Sequence, residues 1–417
     1  MRSFILAAGL FFCAESAFAQ APTPASAFTE ARTLCQADDE TLWGVDLCSA
    51  PLLLVDPTTR KLYALRRGDS DALQPDGDLF TGVLPRDVNI ANTAVDWDGV
   101  RWAMVMLPLP ENPLCRRALL MHESWHGIQA RLGLPLSSPT PEHLATAKGR
   151  ALMRLEWRAL TAALEAKDED AAEQALADAL AFRAARRATA GAGADEERQL
   201  EMNEGLAEYT GLRLSGGDAK AEAVRALSAA ELTDSYVRSF AYASGPAYGL
   251  LLDQADPNWR RGLTQAEDLG ALLAARAQIQ PGNASLAEGR YGGADIRADE
   301  SRRAEAARIV SAAWAAKLVD GPRLVLPFQS MQIAFNPNTV TALSPHGSVY
   351  PELRVVDAWG VLEVTDGALI DPNWSGAVVA APTSIEGREG SGWTLQLNSG
   401  WSLEAGERPG DFRLVKR

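Results

Sequence analysis

The chain has 417 residues, of which 40 are Lys or Arg and 54 are Asp or Glu, so its formal net charge is −14 at pH 7. Hydrophobic residues make up 47% of it and charged residues 23%, which is typical of a globular protein, and the length is sufficient for two domains. It contains no basic cluster and no basic stretch interleaved with aromatic residues, so we expect neither nucleic acid nor an anionic membrane surface as a partner. These properties predict no particular oligomeric state.

Residues 1–19 have the pattern of a secretory signal peptide. Arg2 supplies the positive start, residues 4–12 form an apolar stretch, and Ala17 and Ala19 form a small-residue cleavage site. No later apolar run is long enough to span a bilayer. We therefore expect an exported protein, periplasmic or secreted after cleavage near Ala19, with no membrane span.

Export determines which cysteines remain in the mature chain and whether they can form disulfides. Cys13 would leave with the signal peptide, so that three cysteines remain in the mature chain. Cys35 and Cys48 flank a short acidic segment, and disulfides persist in exported proteins, so we predict a bond between them. Cys115 would then be free, and its place just before an apolar helix predicts a small buried side chain.

The N-terminal part is predicted to be a leader followed by a small sheet. Residues 20–40 begin rich in Ala, Pro, Thr and Ser, and we predict a mobile leader there. Residues 41–110 contain short apolar runs separated by turn residues, which predicts a small β-sheet. Asp98 and Gly99 separate two of these runs, and this dipeptide is typical of a two-residue hairpin turn. We expect the second strand of that hairpin, residues 100–107, to lie in front of the next helix.

Residues 115–132 predict an amphipathic helix, because apolar side chains recur there at helical spacing. The helix carries a His-Glu-x-x-His pattern at residues 122–126. Positions i and i+4 are neighbours on one helix face, so His122 and His126 can bind a single Zn²⁺ ion. Glu123, one residue along, would face the water on that ion and act as its general base.

Stretches rich in Ala, Leu, Glu and Arg predict that residues 111–320 are mostly helical. Between residues 142 and 190 we expect two long helices packed as a hairpin. Trp157, Leu160 and Leu164 recur there at a spacing of three or four residues, which favours packing in the core over a lid above the cleft. Further helices are predicted at residues 194–214, 218–253, 264–278 and 300–318.

Residues 321–417 change to short alternating apolar runs separated by Gly, Pro, Asn and Asp. This pattern predicts an all-β C-terminal domain of the usual domain size. The fold class expected for the whole chain is therefore α+β. A small N-terminal sheet and a helical part share residues 20–320, and the β-rich domain follows.

A catalytic zinc ion is usually bound by three protein ligands. A third ligand must therefore come from outside the helix that carries His122 and His126, which we call the metal helix. His143 and His346 are candidates, although the first begins a predicted helix and the second lies in a predicted turn. The third histidine of the metzincins is absent, because Leu132 occupies its place. Glu204 and Glu208, on a later helix, are carboxylate candidates.

The stretch Asn-Glu-Gly-Leu-Ala-Glu at residues 203–208, taken with the His-Glu-x-x-His motif, resembles the gluzincins, the thermolysin-like and aminopeptidase-like zinc peptidases. The resemblance implies a zincin-like catalytic domain over residues 20–320. It implies one Zn²⁺ per chain with three protein ligands: His122, His126 and Glu204. It also implies that Glu208 orients a histidine through its free ring nitrogen and that Gly205 lets two helices approach closely. Glu208 remains the alternative ligand.

A second part of the resemblance lies further along the chain. Aminopeptidase-like gluzincins have a Tyr-x-Lys-Gly-Ala helix whose tyrosine hydroxyl supports the oxyanion. This chain has Tyr242, with Ser244 in place of the lysine and Pro246 in place of the alanine. The resemblance implies Tyr242 as the oxyanion donor, with Tyr248 and His346 as alternatives. The competing interpretation is that Tyr242 packs in the core.

The Gly-x-Met-Glu-Asn stretch that binds a free amine in aminopeptidases is absent, so endo- versus exopeptidase activity stays open.

Together these features predict an exported zinc-dependent metallopeptidase that acts on a peptide or protein substrate. Glu123 would accept the water proton and pass it to the leaving amine. The strand at residues 100–107 would lie at the cleft edge and pair with an extended substrate. Two alternatives stay open: an inactive zincin scaffold that binds a partner through its β domain, and a zinc hydrolase of a non-peptide amide or ester.

Overall fold

The computed structural model describes residues 22–85, 88–335, 339–382 and 388–417. The predicted signal peptide at residues 1–19 lies outside these ranges. The chain is α+β, as expected, and divides into two compact units, one ending at Glu300 and one beginning at Ser301. No helix within the described ranges is long and apolar enough to cross a membrane.

The first helix, α1 (Pro24–Asp38), lies where a mobile leader was expected. Thr23 and Ser26 form a capping box, in which each side chain accepts from the backbone N–H of the other residue. Phe28 is buried in the core. The prediction of a mobile leader over residues 20–40 is therefore wrong from residue 24 onwards, because a cap and a buried face stabilise a helix there.

Of the two cysteine predictions, the bond between Cys35 and Cys48 is confirmed and the free Cys115 is wrong. Cys35 in α1 is bonded to Cys48, with their Cα atoms 6.0 Å apart. Cys115 is also disulfide-bonded, and the described residues include no free cysteine. The prediction that Cys115 is free is therefore wrong.

The N-terminal sheet lies ahead of the metal helix in the chain. Its strands are β1 (Leu52–Val55), β2 (Lys61–Ala64), β3 (Gln74–Asp76), β4 (Leu79–Val83), β5 (Thr93–Trp97) and β6 (Val100–Met106). Their order among the described residues is β3–β4–β2–β1–β6–β5. Asp98 and Gly99 both have positive φ, so the predicted hairpin turn between β5 and β6 is confirmed.

The position of β6 differs from the expectation. It pairs in parallel with β1 on one side and antiparallel with β5 on the other. The prediction that residues 100–107 form the strand at the cleft edge is therefore wrong. Within the described part of the chain, β5 is the edge strand next to β6, because β1 occupies the other side of β6; β3 is the edge strand at the opposite end of the sheet.

The sheet packs on the metal helix through one of its faces. Leu54 of β1 lies in the helical core, whereas Leu53 belongs to a second apolar cluster on the opposite face, as the two-residue period of a strand requires. The core face meets α2 (Pro113–Gln129). Gly127 permits a close approach, since a Cβ there would lie 2.5 Å from the Cβ of Ala50.

The helices after α2 follow the predicted order closely. They are α3 (Ala147–Glu165), α4 (Glu169–Arg187), α5 (Gly193–Leu200), α6 (Leu206–Leu214), α7 (Ala219–Ala230), α8 (Ser239–Ala255), α9 (Leu269–Ala277), α10 (Ala284–Ala287) and α11 (Gly293–Ala315). In α3, Trp157, Leu160 and Leu164 are all buried. The indole N–H of Trp157 donates to Ser244 Oγ in α8 over 2.9 Å. The interpretation of this segment as packed core is therefore confirmed for α3.

The second unit is β-rich, as predicted. Its strands are β7 (Arg323–Pro327), β8 (Gln332–Phe335), β9 (Thr341–Leu343), β10 (Gly347–Tyr350), β11 (Leu353–Asp357), β12 (Gly360–Val364), β13 (Ala368–Ile370), β14 (Gly376–Ala380), β15 (Glu389–Gly390), β16 (Trp393–Leu397), β17 (Trp401–Ala405) and β18 (Phe412–Lys416). The described strands form two sheets, ordered β17–β18–β7–β14–β13–β10–β9 and β15–β16–β12–β11–β8. Leu326 of the first and Leu362 of the second share one buried cluster, so the sheets form a sandwich.

Candidate metal centre

Helix α2 presents both motif histidines to the same side. Asn112 caps this helix by accepting from backbone N–H groups of its first turn, and Pro113 occupies the first helical position. His122 and His126 are one turn apart, and their Nε2 atoms lie 3.2 Å from each other. Both side chains are buried, with exposed fractions of 2% and 5%.

The third group comes from a π-helical segment, Glu201–Gly205, between α5 and α6. Such wide turns are rare within helices and occur frequently at functional sites. Oε2 of Glu204 lies 3.6 Å from Nε2 of His122 and 3.5 Å from Nε2 of His126. Three potential ligand atoms thus form a nearly regular triangle.

The triangle fits a tetrahedral Zn²⁺ ion. Zinc bonds of about 2.0–2.1 Å at tetrahedral angles require ligand atoms roughly 3.3–3.4 Å apart. The observed sides of 3.2, 3.5 and 3.6 Å are close to that separation. His122, His126 and Glu204 can therefore hold one metal ion, and they form a buried group suited to it.

Two glycines allow the π-helical segment to lie close against α8. A Cβ at Gly205 would lie 3.0 Å from the Cα of Gly245 in α8, and a Cβ at Gly245 would lie 2.2 Å from the Cα of Gly205. The resemblance implied that Gly205 lets the Glu204 helix approach the metal helix closely; the close neighbour of Gly205 is instead Gly245 in α8. This contact brings Glu204 next to Tyr242, which lies less than one turn before Gly245 on α8.

Each histidine is oriented through its other ring nitrogen. Nδ1 of His122 lies 2.9 Å from Oε2 of Glu208. Because a carboxylate accepts, this contact places a proton on Nδ1, so that Nε2 is the nitrogen available to a metal. Glu208 thus lies where the resemblance implied an orienting residue, outside the ligand triangle. Nδ1 of His126 lies 2.9 Å from Oε1 of Gln129, a residue that the motif does not mark.

The carboxylate of Glu204 is held by two donors on the oxygen that faces away from the histidines. Nδ2 of Asn203 donates to Oε1 of Glu204 over 3.2 Å, and Nη2 of Arg238 donates to the same oxygen over 3.3 Å. Oε2 is therefore the oxygen directed at the histidines. The arrangement favours binding of a metal through one carboxylate oxygen.

Glu123 borders the same site with an unused acceptor. Its Oε2 is buried and has no hydrogen-bond partner within the described residues. It lines a cleft of about 120 Å³ together with the three candidate ligands. Burial raises the pKa of Glu123 to about 7, although the neighbouring histidines oppose this shift. An acceptor in this position is suited to receive a proton from a group in the cleft.

The metal-free site attracts a positive charge. Burial alone lowers the pKa of His122, but hydrogen bonds with Glu204 and Glu208 outweigh burial and raise this pKa to about 10. A proton therefore resides among the ligand atoms when no metal is bound. A divalent cation would satisfy the same negative environment and displace that proton.

Tyr242 reaches the site, whereas the alternative tyrosine does not. The hydroxyl of Tyr242 donates to Oε2 of Glu204 over 2.7 Å, and the side chain lines the cleft. Tyr248 is fully buried and donates to Oε1 of Glu156 over 2.7 Å. Tyr242 is thus the tyrosine whose hydroxyl lies beside the ligand atoms, although its role as an oxyanion donor remains a prediction.

The two other histidines belong elsewhere. Nε2 of His143 lies 2.5 Å from Oε1 of Glu197, a fully buried carboxylate that also pairs with Arg186 and Arg187. His346 lies in the second unit, in the turn between β9 and β10. Among the described residues, neither is part of a group that could hold a metal ion.

Two segments without motif residues complete the cleft. Besides Asn203, its other lining residues come from the start of β5 and from the loop after α2: Asn92, Thr93, Leu136, Ser137 and Ser138. Arg238 donates to Ser138 and to Glu204, so it connects this loop to a candidate ligand. These contacts join distant parts of the chain, and no local sequence signal marks the residues that make them.

No protein-family model, curated protein or solved structure matches the chain. The chemistry assigned to the site therefore depends on the geometry of its own residues. A buried pair of histidines with one carboxylate, beside a second carboxylate bordering a cleft, is the arrangement needed for metal-assisted hydrolysis.

Proposed function

We propose that this protein is an exported zinc-dependent peptidase that hydrolyses amide bonds in peptides or proteins. The ligand triangle of His122, His126 and Glu204, with sides of 3.2–3.6 Å, beside the unpaired oxygen of Glu123, is the observation that supports it most directly. A structural zinc ion is normally enclosed by four protein ligands, whereas a catalytic one has three. Here three groups converge beside a cleft.

Glu123 is the base in the proposed reaction. Bound Zn²⁺ would polarise the scissile carbonyl and lower the pKa of its water to about 7. Glu123 lines the cleft, and one oxygen of its carboxylate can accept the proton of the attacking water. The same oxygen then returns the proton to the leaving nitrogen, so that the C–N bond breaks with release of a neutral amine.

The edge strand β5 supports a peptide as the substrate. It begins at Thr93, which lines the cleft, and its outer side has no strand partner within the described ranges. The two-residue turn closes on the pair Trp97–Val100, so the backbone groups of Ala94 and Asp96 point outwards. An extended peptide can add to such an edge through main-chain hydrogen bonds. β5 therefore replaces β6 as the strand proposed to bind substrate.

Elemental analysis followed by digestion of an unstructured protein tests the proposal. We expect one zinc ion per chain. Glu123→Gln preserves side-chain shape and removes the base, so the variant should keep zinc and lose a factor of about 10²–10⁴ in cleavage rate. Glu111→Gln, at an exposed position just before α2, is the matched control and should cleave at the wild-type rate.

The outcomes separate the alternatives. If Glu123→Gln cleaved at the wild-type rate, the proposed hydrolase function would be excluded. Zinc-loaded protein that leaves polypeptides intact, but hydrolyses small esters or amides with the same dependence on Glu123, would indicate a non-peptide substrate. A protein without bound metal and without hydrolysis would indicate a binding scaffold.

A further inference from the structure

A chain of hydrogen bonds connects two of the candidate ligands. Nδ1 of His126 donates to Oε1 of Gln129 over 2.9 Å, and Nε2 of Gln129 donates to Oδ1 of Asn203 over 2.9 Å. Nδ2 of Asn203 donates to Oε1 of Glu204 over 3.2 Å. All four residues are at most 5% exposed. We name this chain, from His126 through Gln129 and Asn203 to Glu204, the amide relay.

Groups that can only accept determine the direction of the amide relay. The carboxylate of Glu204 requires Asn203 to turn its NH₂ group towards it, which turns the carbonyl oxygen of Asn203 towards Gln129. The NH₂ group of Gln129 faces that oxygen and also lies 3.4 Å from the backbone carbonyl oxygen of Pro135. The carbonyl oxygen of Gln129 is left to face His126. The proton of His126 therefore resides on Nδ1, and Nε2 keeps the lone pair that a metal needs.

We propose that Gln129 and Asn203 are positioning residues through which the third ligand, Glu204, sets the tautomer of the second ligand, His126. The inference rests on the proposed metal centre and adds a mechanism that prepares it. Without the relay, His126 can carry its proton on Nε2, and a protonated nitrogen does not bind zinc. The relay thus preorganises two ligands together.

The two histidines are oriented by chemically different partners. His122 is held directly by the carboxylate of Glu208. His126 is held by the neutral amide of Gln129 and only indirectly by a carboxylate. A change at Gln129 should therefore affect His126 and leave the contact of His122 intact. This difference provides a control within the same molecule.

Gln129→Met removes the acceptor and keeps the length of the side chain. The whole chain has four histidines, so nitrogen NMR of the metal-free, histidine-labelled protein can report the protonated nitrogen of each. We expect the proton of His126 to shift from Nδ1 towards Nε2 and the dissociation constant for Zn²⁺ to rise about 10–100-fold. The Nδ1 proton of His122 should remain in place.

Two isosteric variants separate relay polarity from packing. In Gln129→Glu, a carboxylate still accepts from His126, so the tautomer should be retained although the donor to Asn203 is lost. Asn203→Asp places a carboxylate against Glu204, so the dissociation constant for zinc should rise at least about tenfold with the shape of the site preserved. If Gln129→Met does not fold, these two variants still test the relay.

The proposal is overturned if the tautomer of His126 stays as in the wild type in Gln129→Met and the zinc dissociation constant stays at its wild-type value in both Gln129→Met and Asn203→Asp. That result would leave the peptidase proposal intact if the wild type cleaves polypeptides. The opposite combination, with the expected changes in tautomer and affinity but no cleavage by the wild type, would support the relay and reject the peptidase.

Discussion

The hydroxyl of Tyr242 donates to Oε2 of Glu204, the carboxylate oxygen that faces both motif histidines, over 2.7 Å. The ring of Tyr242 is parallel to the ring of His122, with an angle of 2° and a centroid separation of 5.8 Å. One side chain from α8 thus touches the carboxylate and lies alongside an imidazole. A hydroxyl in this position can hold Glu204 in place or turn to a developing charge in the cleft.

Tyr242→Phe should distinguish these roles, because it keeps the ring and removes one hydroxyl. If the hydroxyl stabilises the oxyanion, kcat should fall about a hundredfold or more, as for the loss of one preorganised donor. Zinc content and Tm should stay near wild type. Tyr63→Phe, a half-buried tyrosine of β2, serves as the control in the same steady-state assay. An unchanged kcat would assign Tyr242 to packing and to support of Glu204.

The ligand set predicts different effects for two nearby carboxylates. Glu204→Ala removes a ligand and should abolish stoichiometric zinc, because two histidines alone hold the ion weakly. Glu208→Gln keeps an acceptor for Nδ1 of His122, so zinc should remain bound with an affinity about tenfold lower. Elemental analysis after dialysis measures both variants. Full zinc occupancy in Glu204→Ala would require another third ligand.

Zinc binding should release a proton from His122. Its pKa in the metal-free protein, about 10, lies above the ordinary value of 6.5, so His122 is protonated at neutral pH and zinc must displace the proton. The dissociation constant should therefore fall about tenfold for each unit of rising pH between neutrality and pH 10. An ordinary histidine would give no such dependence above its own pKa.

Calorimetry at pH 8 in buffers of different ionisation enthalpy measures the proton release. Glu208→Gln removes one of the charges that raise the pKa of His122, so this variant should release fewer protons than wild type. A proton lost from water on the metal would contribute equally to wild type and to Glu208→Gln, so it cancels in the difference between them. Equal release by the two proteins would contradict the expected charge state of His122.

Proline substitutions test whether substrate pairs with the edge strand β5. The N–H of Ala94 points away from β6, so Ala94→Pro removes an outward donor and keeps the ladder within the sheet. KM for a polypeptide should rise about 3–10-fold, the effect of one main-chain hydrogen bond, with zinc content unchanged. Val95→Pro removes an inward donor and should lower Tm instead. A KM unaffected by Ala94→Pro would show that substrate does not pair with β5 at this position.

Local sequence signals predicted several parts of this fold correctly. The helix around His122 and His126 follows from helical periodicity, and the hairpin at Asp98 and Gly99 follows from the conformations that this dipeptide adopts. Each signal concerns residues a few positions apart. The leader prediction failed for α1 because composition was given more weight than the capping residue Thr23 and the apolar side chain of Phe28.

Contacts between distant residues explain what the sequence could not predict. Which strand is at the sheet edge depends on β1 taking the inner side of β6, and strand spacing does not determine that choice. Arg238 meets Glu204 from 34 positions away, and an arginine in a polar turn has no distinctive pattern. The partners that orient and support the ligands could be identified only after folding.

The sequence by itself determined that His122 and His126 lie on one helix face with Glu123 beside them, because residues one and four positions apart have a known relation on any helix. Only the tertiary structure decided that Glu204 completes the triangle while Glu208 orients His122 from 86 positions away, and that Gln129 meets Asn203 across 74 positions. The physical reason is that a metal site needs its ligands placed to within a few tenths of an ångström. Helix periodicity supplies that precision within α2, whereas between helices it comes from packing, here from the close approach of Gly211 in α6 to Ala118 in α2.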